Sequence, residues 1–211
     1  MNARPMANAR DVRVAFHEAS HVIASYLFGF RLHVVSIQAT AHFGGVTVHA
    51  SKPSAPMSER QEAKLAIPLP LALPARLRRL FEETALVSLV GPAVDEAVWP
   101  RETGYVRDDD EEGALVAPPE LAPISKRTAA RLEMAERPVS DDVDEAVKTA
   151  RVLSPRATVQ MLAWLRAEAR GLVESESFGK GFDVLVPALL ERRTLTGAAV
   201  TRLLRQGGVT W

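Results

Sequence analysis

Two imidazoles and a carboxylate share one short run, His17-Glu18-Ala19-Ser20-His21, inside the apolar stretch VAFHEASHVIASYLFGF from Val14 to Phe30. This is an H-E-x-x-H pattern. On a helix, residues four apart differ by about 40° around the axis, so His17 and His21 fall on one face, one turn apart. Their ring nitrogens can then converge on one metal ion at about 2.0–2.1 Å. Glu18 sits beside the first histidine, where its carboxylate can take a proton from a water activated by the metal. The pattern therefore points to metal-assisted hydrolysis. The competing reading is a buried helix that carries two satisfied histidines. It is weakened by the apolar surroundings, because burying two unpaired imidazoles there is costly.

A catalytic zinc site needs a third protein ligand and an open position. The extended H-E-x-x-H-x-x-G-x-x-H pattern is missing, because Leu27 stands six residues after His21. Cysteine is absent, so the third ligand must be a carboxylate or another histidine, and no disulfide is possible. His33, His42 and His49 are read as structural or surface residues. The best acids lie in SDDVDEAV, namely Asp141, Asp142 or Asp144, at a helix start where the backbone can position a carboxylate. The residues alone leave that choice open.

The elements that must position these groups are legible in outline. Residues 11–29 read as a helix with Asp11 as N-cap and Gly29 as stop. RLHVVSIQA (31–39) and GGVTVHA (44–50) read as two short strands. Residues 51–74 hold five prolines and read as an irregular connection. Residues 75–99 read as a long helix, and 100–138 as a second long connection with the acidic run DDDEE at 108–112 in a solvated loop. A helix opens at SDDVDEAVKTARVL, with Ser140 as N-cap. Pro155 either breaks it or takes the first position of the next helix, PRATVQMLAWLRAEARGLVE. Two more helices follow, GFDVLVPALLERR and LTGAAVTRLLRQ. The three tryptophans, Trp99, Trp164 and Trp211, are read as core or capping aromatics. The fold expected is mainly α (α+β), a single domain over 1–211 with a small sheet near the N-terminus.

Composition excludes some classes. Lys plus Arg (26) equals Asp plus Glu (26), so no global basic field attracts nucleic acid. No run of about 18 apolar residues predicts a membrane span. The N-terminus lacks the apolar core of a signal peptide. A cytoplasmic protein is expected.

Five segments, in order, resemble the protease domain of the FtsH-type ATP-dependent zinc metallopeptidases. FHEASHVIASYL resembles the family's HEAGH helix. LHVVSIQATAHFGGVTV resembles the strands after it. LVSLVGPAVDEAVW resembles the L-x-G-x-x-A-E-E helix, and SDDVDEAVKTAR the N-D-L-x-x-A-T-x-x-A-R helix. ALLERRTLTGAAVTRLL resembles the C-terminal L-L-E-x-x-x-L-x-G segment. Together they span most of residues 11–206. The resemblance implies a helical zinc-protease fold with Zn²⁺ held by His17, His21 and Asp142, and Glu18 as catalytic base. Asp142 aligns with the family's ligand aspartate, and Asp141 with the preceding asparagine. Ser20 replaces a family glycine, and Asp95-Glu96 stands for paired glutamates. Neither the ATPase module nor the membrane helices of the family are matched in these residues.

The expected activity is a stand-alone zinc endopeptidase acting on flexible or unfolded polypeptides. The strand residues Gly45, Val46 and Thr47 are the candidate edge for pairing substrate as an added strand. Two alternatives remain: a non-proteolytic zinc-binding regulatory or interaction module, and a peptidase subunit docking on a separate ATPase. Oligomerisation is compatible with either.

Overall fold

The computed structural model describes residues 9–38, 45–50, 73–97 and 142–210. Six helices and three strands follow in chain order: α1 (Ala9–Leu27), β1 (Arg31–Ser36), β2 (Val46–Ala50), α2 (Ala75–Ala97), α3 (Asp142–Leu153), α4 (Thr158–Val173), α5 (Glu176–Arg192), β3 (Thr194–Thr196) and α6 (Gly197–Gln206). The chain is mainly helical with a small three-stranded sheet.

The first helix is the hub. Ala15, Ala19, Val22, Ile23 and Ala24 are fully buried, so nearly its whole circumference is packed. It lies between α2 on one side and α5 on another, with β1 alongside. Gly29 ends it as expected, with a left-handed φ of 74°. Phe30 N–H reaches the Ser25 carbonyl and Gly29 N–H the Tyr26 carbonyl. That pair of bonds is the Schellman arrangement, which needs a residue without a Cβ penalty at this φ. Asp11 is not the N-cap, because the helix already runs from Ala9. Its carboxylate instead pairs with both terminal nitrogens of Arg193, at 2.5 and 3.0 Å. This fork ties the start of α1 to the end of α5.

The sheet order is β2-β1-β3, all antiparallel. Both early strands match the sequence reading. β3 was not foreseen: Thr194–Thr196 is only three residues long and reads as the lead-in to α6. It exists because it pairs with Val34–Ser36 from the far end of the chain. Among the described residues, β2 is an edge strand.

α2 packs against α1, α3 and α4. Pro155 is not the first residue of α4. α3 ends at Leu153, and α4 begins at Thr158 after a turn through Pro155 and Arg156. Trp164 is neither core nor cap: it lies on the outer face of α4, 43% exposed, while Leu165 and Ala169 face inward. The connections 51–74 and 100–138 fall outside the described residues except for Leu73 and Pro74, as do Ser140, Asp141, His42, Trp99 and Trp211. No described helix is long and apolar enough to cross a membrane.

Candidate metal centre

Two helices bring the expected ligands together. α1 supplies His17 and His21, and the first residue of α3 supplies Asp142. His21 Nε2 lies 3.1 Å from His17 Nε2 and 3.3 Å from Asp142 Oδ2. His17 Nε2 lies 3.4 Å from the same oxygen. Of the acids left open by the sequence, Asp144 is exposed and outside this group. His33 lies apart from it too, half-buried where the β1–β2 register shifts.

The spacing fits a tetrahedral ion. Ligand atoms bonded at about 2.0–2.1 Å in that geometry stand about 3.3–3.4 Å apart, close to the three distances seen. The hydrogen bonds on the far sides of the rings agree. His21 Nδ1 lies 2.6 Å from the Val87 carbonyl, which can only accept, so Nδ1 carries the proton. His17 Nδ1 lies 3.3 Å from Asp95 Oδ2, which likewise accepts. In the neutral rings both Nε2 lone pairs then aim at one point, beside a carboxylate oxygen. Three converging electron pairs repel unless a cation sits between them, and fixing the outer nitrogen is how metal-binding histidines are oriented.

Helix α2 provides this outer support. Asp95 accepts from His17 and also from Arg13 Nη2, at 3.0 Å, one turn earlier on α1. Burial would raise the proton affinity of Asp95, but the bonds from His17 and Arg13 outweigh it and hold the carboxylate below its usual range. Pro92 lacks the N–H that would reach the Ser88 carbonyl, so the helix ladder is interrupted next to Val87. Where α2 meets the imidazoles it carries Gly91. A Cβ there would stand 2.5 Å from His21 Nε2 and 2.6 Å from His17 Nε2. Neither the Val87 carbonyl nor Gly91 as a close-approach residue was read from the sequence. The Asp95-Glu96 pair was noticed, but only as a departure from the family pattern.

Glu18 is buried and is not one of the converging ligands. Thr47 Oγ1 donates to its Oε2 at 2.6 Å. Gly45 presses on it as well, since a Cβ at that position would stand 2.8 Å from Oε1. So β2 does lie beside Glu18, and the Thr47 hydroxyl is committed to holding the carboxylate. Val46 opens β2 opposite Ser36. Burial pushes the Glu18 carboxyl up, partly offset by His21 and His17, which suits a proton acceptor. Ser20 is fully buried, with its hydroxyl bonded to the His17 carbonyl at 2.6 Å, so the larger residue fits where the family pattern has glycine.

Without a cation, a proton takes its place. Burial lowers the proton affinity of His17, yet bonds to Asp142 and then Asp95 outweigh this and push it up to about 10. Burial would raise Asp142, but the two histidines hold it far below the carboxylate range. A metal ion must therefore displace one proton. The apparent zinc affinity is expected to rise about tenfold per pH unit, about a hundredfold from pH 6 to 8, and to level off near pH 10. Competition against a chromophoric chelator, corrected for the chelator's own protonation, measures this slope. A flat profile would mean that His17 carries no proton in the metal-free protein.

No protein-family model and no curated protein sequence matches the chain. The chemistry of the site therefore rests on its own geometry.

Proposed function

We propose that the chain is a zinc-dependent endopeptidase, with a fold of the FtsH protease type, that hydrolyses flexible or unfolded polypeptides. The observation that carries this reading is the convergence of His17, His21 and Asp142 beside a buried carboxylate that is not a ligand. Two histidines and one carboxylate would also suit iron(II). Glu18 is what favours hydrolysis, because a water-splitting site needs a separate base.

His17, His21 and Asp142 would hold a zinc ion, which would supply Lewis acidity for activating a water at neutral pH. Glu18 accepts the proton of the attacking water and returns it to the leaving amine. Thr47 keeps the carboxylate in one orientation through that transfer. Asp95 and the Val87 carbonyl hold the imidazoles so that both Nε2 atoms stay aimed inward. The edge of β2, unpaired among the described residues, would offer backbone groups to an extended substrate chain running past Glu18 as an added strand. Such pairing needs an unfolded stretch, which is why flexible polypeptides are the substrate class. Five segments in family order support the FtsH-type reading, and a separate ATPase partner would extend the range to folded substrates.

The test is zinc content and casein cleavage, wild type beside Asp142→Ala. Wild type is expected to hold about one zinc per chain and to cleave. Asp142→Ala is expected to bind zinc at least a hundredfold more weakly, since it lacks one of three ligands, and to lose cleavage at micromolar zinc. A wild type that binds no zinc overturns the site. One that binds zinc but cuts neither casein nor unstructured peptides makes it a binding module.

A further inference from the structure

On another face of the molecule, a groove of about 720 Å³ runs between the start of β1 and the outer side of α6. Ala198 and Thr201 lie along the α6 side of it. Arg202 and Arg205 stand on the same side, three residues apart, and Arg31 lines the β1 side. All three arginines are exposed, and none makes an ion pair or side-chain hydrogen bond to any described residue. No Asp or Glu among the described residues lines the groove. Indeed no acidic residue occurs anywhere in 30–50 or 194–211. In a chain with equal numbers of acids and bases, the described lining of this groove carries arginines and no acid.

The packing of α6 explains why these side chains face out. Val200 and Leu204 are buried against the core, so positions 198, 201, 202 and 205 fall on the opposite side of the helix. Small residues at 198 and 201 leave the space that the arginines border.

We infer that this groove binds an acidic polypeptide segment. Guanidinium groups match carboxylates with two parallel N–H bonds, a fit that Lys lacks. Arg202 and Arg205 lie about 4.5 Å apart along the helix axis, a row rather than a cup. A row in an open groove suits side chains spaced along an extended chain better than a single compact anion. Nucleic acid is disfavoured: of the rings that line the groove, Phe30 is buried and His33 half-buried, so bases find no open aromatic platform to stack on. The groove is separate from the metal centre, so this inference stands whether or not the chain is a protease.

The test uses the full chain in a Glu18→Gln background, so that no probe is cut. The probe is a fluorescein-labelled peptide with six consecutive glutamates between Gly-Ser flanks, followed by fluorescence anisotropy. Saturable binding is expected, weakening at least tenfold in Arg202→Glu/Arg205→Glu and at least threefold when salt rises from 50 to 200 mM. The same peptide with glutamines should bind at least tenfold more weakly. Arg202→Lys/Arg205→Lys should stay within about fivefold, and every variant should keep the parent's melting temperature, since the side chains are exposed. Equal binding by the charge-reversed variant, or by the glutamine peptide, overturns the proposal. So does displacement by inorganic phosphate at the peptide's own carboxylate concentration, which would reduce the groove to a simple anion site. Tighter binding of single-stranded RNA than of the glutamate peptide would overturn it in favour of nucleic acid.

Discussion

Glu18→Gln is expected to lower the rate of peptide cleavage about a thousandfold while leaving zinc at about one per chain, within the 10²–10⁴ range that a positioned general base contributes. The two halves of this result have different causes. The rate falls because a carboxamide cannot take the proton of the attacking water. The metal should stay because Glu18 lies outside the candidate ligand group of His17, His21 and Asp142. Glutamine has the same shape, and its oxygen can still accept from Thr47, so β2 keeps its place beside α1. Stability should not fall either. Burial raises the Glu18 carboxyl, so its ionised form is penalised in the folded state. That penalty is present above the raised folded pKa and is relieved as pH falls through it. Metal-free Glu18→Gln should therefore melt no lower than metal-free wild type at pH 8, and should lose part of the wild type's gain in stability on acidification. Retention of more than a tenth of the cleavage rate would remove Glu18 from its role. Loss of zinc together with activity would make it a ligand.

How much of this could be read from the sequence depends on the range of the interaction. His17, Glu18 and His21 are local: one helix fixes their relation, and the period of the helix is visible in the residues. Gly29 was legible for the same reason, since a left-handed stop is a property of one residue. Asp142 is intermediate. Chemistry demanded a carboxylate, and SDDVDEAV offered three, but which one faces α1 depends on how α3 packs on α2. Only the resemblance chose among them, and the structure brings the same residue to the histidines. The Val87 carbonyl that holds His21 has no signature in sequence, because any residue has a carbonyl. β3 was hidden for a related reason: a three-residue strand carries no period of its own and exists through its partner, β1. Trp164 was misread because burial was assigned by residue type, whereas the face of α4 on which it sits is decided by Leu165 and Ala169.

Gly91→Ala is expected to abolish metal binding in a protein that still folds, and the reason lies in which atoms the added methyl meets. It would stand 2.5 Å from His21 Nε2 and 2.6 Å from both Nε2 and Cε1 of His17. These nitrogens are the proposed donor atoms themselves. Ordinary contact would require a shift of about 1 Å, while a metal site tolerates about 0.2 Å in its bond lengths. The rings cannot simply turn aside. His21 is held from behind by the Val87 carbonyl at 2.6 Å, and His17 by Asp95 at 3.3 Å. Either those bonds break or α2 moves away from α1, and both outcomes pull the ligand triangle apart. Zinc affinity should fall at least a hundredfold, and cleavage with it. The helix itself gains, since Ala is favoured over Gly in a helix interior by about 0.8–1.0 kcal/mol, which offsets part of the steric cost in the metal-free protein. Gly171→Ala on α4 is the matched control: a Cβ added there meets nothing within 4 Å, so it should gain slightly in stability and keep its zinc. Far-UV circular dichroism and zinc titration of the two variants separate backbone propensity from the site. If Gly91→Ala binds zinc as tightly as wild type, α2 does not press on the imidazoles, and the convergence of His17 and His21 must be held by something other than this helix contact.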